Sequence, residues 1–256
     1  MNWDLGKLPS ILSQNCRHLT QTHYNSVTRK GRCALPEYVF VKFGEPEHME
    51  RFVRDGEMYM NSFNFFRVAE GDENRHDKHE GVDQVHQALS GVLKMKDPDS
   101  GEYREVATIT KATIWETPAA IDVMNMFCMY GVETSASEKT SLVNLDARVY
   151  GGFGGSMVII KDPDKFIELV KKSAESRGLH VKFGKVRYVD FSTYHGKAGP
   201  FVKSDAFSYQ NELRFVAYGG EPSVPLKLML GNLSDITVTL PSSQAASLSF
   251  ELGSGS

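Results

Sequence analysis

The chain has 256 residues, 41% hydrophobic and 24% charged, with a formal net charge of −3. That length suits one large domain or two small ones with a real core. The charge balance excludes a global polycation, so a nucleic-acid partner would have to meet a local basic patch.

The first 35 residues are polar and irregular, with a short helical candidate at 8–12 entered through Pro9 and a basic run, Arg29-Lys30-Gly31-Arg32. Regular structure is expected from 38–43, a strand by its β-branched and aromatic content, with Tyr38, Phe40 and Lys42 on one side. Residues 45–55 read as a helix, with Pro46 in the first turn and Gly56 as its stop. A second strand at 57–61 runs on into Ser62-Phe63-Asn64-Phe65-Phe66-Arg67. Between 69 and 87 the chain is densely charged and has no apolar period, which predicts a long loop or an ordered polar insertion.

A hairpin follows at 92–96 and 103–108, turned by Asp97-Pro98-Asp99-Ser100-Gly101. Strands are expected at 111–115 and 123–132, the second central because it carries Met124, Met126, Phe127, Cys128 and Tyr130. The glycines of 151–155 precede a strand at 156–161 rather than a helix, and no Lys-Ser/Thr pair follows. That pattern predicts a tight loop or close backbone approach, not a phosphate loop. A helix enters at Asp162-Pro163 and runs to about residue 176, and strands at 181–183, 186–191, 212–218, 226–230 and 236–240 complete the chain. The class is α+β, with a mixed or antiparallel two-sheet core and few helices. One domain is expected over 36–241, followed by a flexible tail or linker at 242–256.

No window supplies the roughly 18 apolar residues of a membrane span, and the N-terminus lacks the basic start and apolar core of a signal peptide. Cys16, Cys33 and Cys128 are an odd number without metal-ligand spacing. A cytoplasmic protein in a reducing compartment is therefore expected.

The segment 207–216 carries the chemistry. Glu212 opens an apolar strand, two residues after Gln210, and positions i and i+2 of a strand share a face. A carboxylate there has to be paired, hydrogen-bonded or used. Pairing with Arg214 or a basic group across the sheet is the structural reading; a Gln-x-Glu pair at a cleft is the functional one. Phe201, Phe207 and Tyr209 offer an aromatic wall and Lys203 a positive charge. His76, His79 and His86 lie among Asp and Lys without a helix to fix them, so no metal site is expected. Cys128 reads as a core residue. What remains is Lys42 from the first strand, Ser62 with Tyr59 and Asn64 at the end of the second, and Gln210 and Glu212 from a late one.

This order resembles the ADP-ribosyltransferase fold, particularly its Arg-Ser-Glu branch, with Lys42 where that branch carries Arg or His and Ser62-Phe63-Asn64 where it often carries Ser-Thr-Ser. The resemblance implies NAD as co-substrate, with Lys42, Tyr59, Ser62, Asn64 and Tyr209 around it. Glu212 would hold the nicotinamide ribose, and Gln210 would orient the acceptor. Arg67, Arg75, Asp77, Glu80 and Arg214 would border the acceptor site. Phe43, Arg75-x-Asp77-x-x-Glu80-Gly81, Phe127-Cys128-Met129-Tyr130 and the run from Phe207 to Arg214 also look like a widespread bacterial family similar to toxin and phage-defence effectors. That implies a cytotoxic effector with an antitoxin or chaperone partner. The positive charges of Arg29, Lys30, Arg32, Arg67, Arg75 and Lys78 make a nucleic-acid acceptor an expectation beside a protein one. Two alternatives stand: a nuclease using Asp72, Asp77 and Glu80 with Lys78, and a non-catalytic interaction module in which Glu212 and Arg214 are structural.

Overall fold

A computed structural model describes residues 37–68, 76–88, 90–134, 140–142 and 145–251. The helical candidate at 8–12, the basic run at 29–32, Asp72, Arg75, Cys16, Cys33 and the final five residues lie outside the described residues. The chain begins with β1 (Glu37–Gly44), α1 (Pro46–Asp55), β2 (Glu57–Ser62) and α2 (Phe63–Val68). It continues through β3 (Gln84–Ala88), β4 (Gly91–Lys96), β5 (Tyr103–Ile109), β6 (Ala112–Glu116), β7 (Met124–Thr134) and β8 (Thr140–Leu142). Then come α3 (Ala147–Gly152), β9 (Ser156–Ile160), α4 (Pro163–Glu175), β10 (His180–Lys185), β11 (Arg187–Val189), β12 (Gly196–Lys197) and β13 (Val202–Ser204). The last strands are β14 (Glu212–Tyr218), β15 (Leu226–Met229), β16 (Thr237–Pro241) and β17 (Ser249–Glu251). The architecture is α+β, mostly antiparallel and with few helices; β11 and β13 form a parallel pair. No helix among the described residues is long and apolar enough to cross a membrane.

The main sheet runs β10-β14-β7-β1-β9-β16, with β2 and β15 attached off this path. One of its faces carries Phe40, Phe127, Met129, Leu213 and Phe215 beneath the apolar stripes of α1 (Met49, Phe52) and α4 (Phe166, Ile167, Val170). These helices start and stop where their sequences direct. Pro46 and Pro163 occupy first turns, where the missing N–H costs nothing, and the Asp162 side chain accepts from the Lys165 N–H at 3.0 Å. Gly56 ends α1 in the left-handed region at φ 65°.

Three segments differ from expectation. Beyond Ser62 the chain turns helical, because the Ser62 hydroxyl accepts from the Phe65 N–H at 3.3 Å and Phe63 is fully buried. The charged stretch yields a turn at 78–81 and then β3, whose Val85 packs with Val82, Phe191 and Val202 in a separate small core. Residues 242–251, expected as tail, continue the fold as a 3₁₀ turn, Ser242–Ser247, and as β17, which pairs with β8.

The glycine cluster has a backbone role. Gly154 sits at φ 114°, and a Cβ there would drive into the backbone of Gly44 and Glu45. Gly154→Ala is therefore expected to cost roughly 1–3 kcal/mol, seen as a lower urea midpoint with an unchanged slope.

The sheet divides at β7. Strand β14 covers one edge of β7 from Met124 to Tyr130. The opposite edge is shared, with β1 pairing Tyr130–Thr134 and β2 pairing only Asn125 and Met126. Past that point β2 leaves to pair with β15. Between the diverging β1 and β2, residues 127–129 have neither as a neighbour.

Candidate functional site

A cavity of about 640 Å³ opens at this divergence. Its lining includes Lys42 of β1, Tyr59 and Asn61 of β2, Phe127 and Cys128 of β7, and Glu212 and Arg214 of β14. The Lys42 ammonium donates to the Cys128 carbonyl at 2.8 Å and lies 4.4 Å from the Phe127 ring centre. A carbonyl on the open stretch of strand edge, otherwise left without a ladder partner, is thus satisfied by a side chain.

Behind this wall lies a cluster of four buried charges: Arg214 at 0% exposure, Glu80 at 1%, Lys203 at 4% and Glu212 at 5%. Two cations face two anions, so the cluster is neutral, as burial requires. Arg214 donates from Nε to Glu212 Oε2 at 2.7 Å and from both terminal nitrogens to Glu80 at 2.6 and 2.9 Å. Its Nη1 also reaches the Pro200 carbonyl at 2.8 Å. Only a guanidinium has the fork to meet these acceptors together. Lys203 donates to Glu212 Oε1 at 2.6 Å and to Gln210 Oε1 at 2.7 Å, with its ammonium 4.6 Å from the Phe207 ring centre. The Glu212 N–H donates to the Tyr188 hydroxyl at 2.8 Å.

Burial alone would raise the Glu212 carboxyl, but the charges of Arg214 and Lys203 overcome it and hold the group well below the carboxylate range. For Glu80 burial outweighs the pull of Arg214 and Lys203, and its carboxyl is raised. Burial, with Glu212 nearby, pushes the Cys128 thiol up to about 12, which disfavours its thiolate.

The signs of the two carboxyl shifts give a test. With its folded value depressed, Glu212 contributes stability that is complete above about pH 4 and lost as pH falls through that folded value. The raised Glu80 runs oppositely, its contribution present at low pH and lost as pH rises through its folded value. Glu212→Gln is therefore expected to flatten the acid limb of the stability profile below about pH 4, measured by urea unfolding across that range.

Gln210 reaches the site by a different route from the one its spacing suggests. It ends a 3₁₀ turn, Asp205–Gln210, and Asn211 takes the left-handed region at φ 38° before β14 begins at Glu212. The shared face of a strand joins Glu212 to Arg214, not Gln210 to Glu212. Lys203 holds those two together instead.

Of the other expected site residues, Lys42, Tyr59, Glu80 and Arg214 line the cavity with Gln210 and Glu212. Ser62 is buried at the start of α2. Asn64 is turned elsewhere, its amide donating to Asp122 at 2.5 Å and Ser223 at 3.0 Å. Tyr209 lies outside the lining beneath the Arg148 guanidinium, 3.8 Å from its ring centre, although Gln210 Nε2 reaches its hydroxyl at 3.3 Å. Arg67 does not line the cavity. Asp77 is buried and accepts from the His79 N–H at 2.9 Å, shaping the turn that delivers Glu80.

Sequence places Lys203 beside the pair only as a nearby positive charge, without a role, and gives no sign of Tyr188. Once the fold shows Glu80 and Glu212 both buried against one arginine, a second cation is required, and Lys203, nine residues before Glu212, supplies it. Among the described residues no three His, Cys, Asp or Glu side chains are placed to hold a metal ion. No family model matches the chain, no curated protein matches it, and no solved structure matches it.

Proposed function

We propose that this protein is an NAD-dependent ADP-ribosyltransferase acting in the cytoplasm as a bacterial toxin or anti-phage effector, with nucleic acid or protein as acceptor and an antitoxin or chaperone as partner. The observation that carries this reading is a carboxylate, Glu212, held ionised at the wall of a cavity that opens between two diverging strands. Each Glu212 oxygen accepts one side-chain hydrogen bond among the described residues, so each has a further lone pair to offer a ribose hydroxyl. Lys42 adds positive charge to the lining, and Phe127 and Tyr59 supply apolar surface.

In the reaction the glycosidic C–N bond to nicotinamide breaks and nicotinamide leaves with the electron pair. The acceptor nucleophile then bonds to the anomeric carbon and loses its proton. The anomeric centre is oxocarbenium-like between these events, and a fixed negative charge beside it lowers the barrier. In this reading Glu212 meets the ribose and Gln210, which lines the same cavity, faces the acceptor.

Incubation with NAD labelled in its adenylate half, followed by separation of RNA, DNA and protein, tests this. Label in one pool with release of nicotinamide is the expected result. No transfer together with no NAD binding would sink the reading.

One observation favours the interaction module instead, namely that Glu212 is doubly ion-paired and buried. That reading requires the biological effect to survive Glu212→Gln. The nuclease reading loses ground because Glu80 is committed to Arg214 and Asp77 to a turn.

A further inference from the structure

We propose that Lys203 is a positioning residue of this site, a buried ammonium that joins the end of one 3₁₀ turn to the first residue of β14 and so fixes where the Glu212 carboxylate sits. The assignment rests on the reading of Glu212 as the carboxylate that meets substrate.

The geometry is specific. The Lys203 ammonium has three N–H donors. It reaches Gln210 Oε1 at 2.7 Å and Glu212 Oε1 at 2.6 Å, and stands over the Phe207 ring at 4.6 Å. All three partners come from the ten residues that follow it: Phe207 and Gln210 from the turn Asp205–Gln210, Glu212 from the head of β14. The backbone between Gln210 and Glu212 passes through Asn211 at φ 38°, a region that side chains other than glycine rarely adopt. The β14 strand begins only at Glu212, with Asn211 tied to Gly131 of β7, and the shared ammonium is what links the Gln210 and Glu212 side chains to each other.

Arg214 holds the other carboxylate oxygen, at 2.7 Å from Nε, and is itself immobilised by Glu80 and the Pro200 carbonyl. Glu212 is thus gripped at Oε1 by Lys203 of the short strand β13 and at Oε2 by Arg214 of its own strand in the main sheet. With Lys203 removed, the carboxylate keeps one anchor and is free to swing about it. The neutrality of the cluster is lost as well, leaving two carboxylates and one cation.

The experiment uses the full chain with [13C]carboxyl-labelled glutamate. The Glu212 resonance is assigned by its absence in Glu212→Gln and titrated in wild type, Lys203→Met and Lys203→Arg. Lys203→Met keeps the apolar stem and removes the charge. It is expected to move the Glu212 titration upward and to lower the kcat of NAD-dependent transfer about 100-fold, leaving the KM for NAD within about 3-fold. Lys203→Arg is expected to restore the depressed titration and part of kcat. If Lys203→Met is too unstable to titrate, Lys203→Ala with and without added ethylammonium replaces it, and recovery of kcat by the amine is the expected result.

A Glu212 titration unchanged in Lys203→Met, or no rescue by arginine or ethylammonium, would overturn the assignment. The titration is independent of turnover. Should wild-type protein transfer nothing from NAD, the ADP-ribosyl reading fails, while the carboxyl titration still reports whether Lys203 sets the state of Glu212.

Discussion

Arg214→Leu is expected to destabilise the protein by about 3–5 kcal/mol, which for a domain of ordinary stability is a large part of the whole. Leucine fills part of the volume and suits the strand, so the cost does not come from packing. It comes from two carboxylates, Glu80 and Glu212, left buried with Lys203 as the one cation bonded within the cluster. Urea unfolding would show a lower midpoint with a similar slope. The same variant is expected to gain stability on mild acidification, because Glu80, raised already and now deprived of its partner, is neutralised by taking up a proton. Glu80→Leu added to Arg214→Leu should recover part of the loss, since it removes one unpaired charge; additive losses would contradict the pairing. Arg214→Lys should fall between wild type and leucine, as an ammonium cannot reach Glu212 and both Glu80 oxygens in the same plane.

Glu212→Gln is expected to lower NAD-dependent transfer by about 10²–10³-fold, the scale on which removal of one preorganised electrostatic contact acts. The amide keeps the size and one accepting oxygen of the carboxylate, so NAD binding measured by calorimetry should change far less than turnover. Its NH₂ end, however, must face Lys203 or Arg214, both of which donate. A stability loss of about 1–3 kcal/mol should accompany the loss of rate. Rates therefore have to be compared well below the unfolding temperature of the variant. Full transfer activity in folded Glu212→Gln would remove Glu212 from the chemistry and leave it a structural ion-pair partner.

How legible this architecture was depends on how local each cause is. The first strand, α1 with Pro46 and Gly56, the long central strand and α4 all announce themselves through period and caps within a dozen residues. Helix α2 did not, because Phe63-Asn64-Phe65-Phe66 has strand-like composition and only the Ser62 hydroxyl turns it. The pairing of Glu212 with Arg214 follows from two positions on one strand and was foreseeable. Glu80, by contrast, lies 134 residues from Arg214 in the chain, within a stretch so polar that nothing marks one carboxylate as buried. Gln210 lines the cavity beside Glu212, but not through the strand geometry that its spacing suggests. Asn211 breaks the strand before it starts, and an asparagine in the left-handed region leaves little trace in hydrophobic pattern.

The division of partners along β7 has a consequence for how such a site is able to change. Lys42 and Glu212 stand on strands of the main sheet, so their positions are set by the ladders that hold it together. The exposed arm formed by β4 and β5 lies outside the cavity lining and can lengthen, shorten or acquire new sequence without displacing Lys42 or Glu212. The arm and the cavity walls are thereby free to change at different rates, the first by exchange of whole segments and the second one side chain at a time.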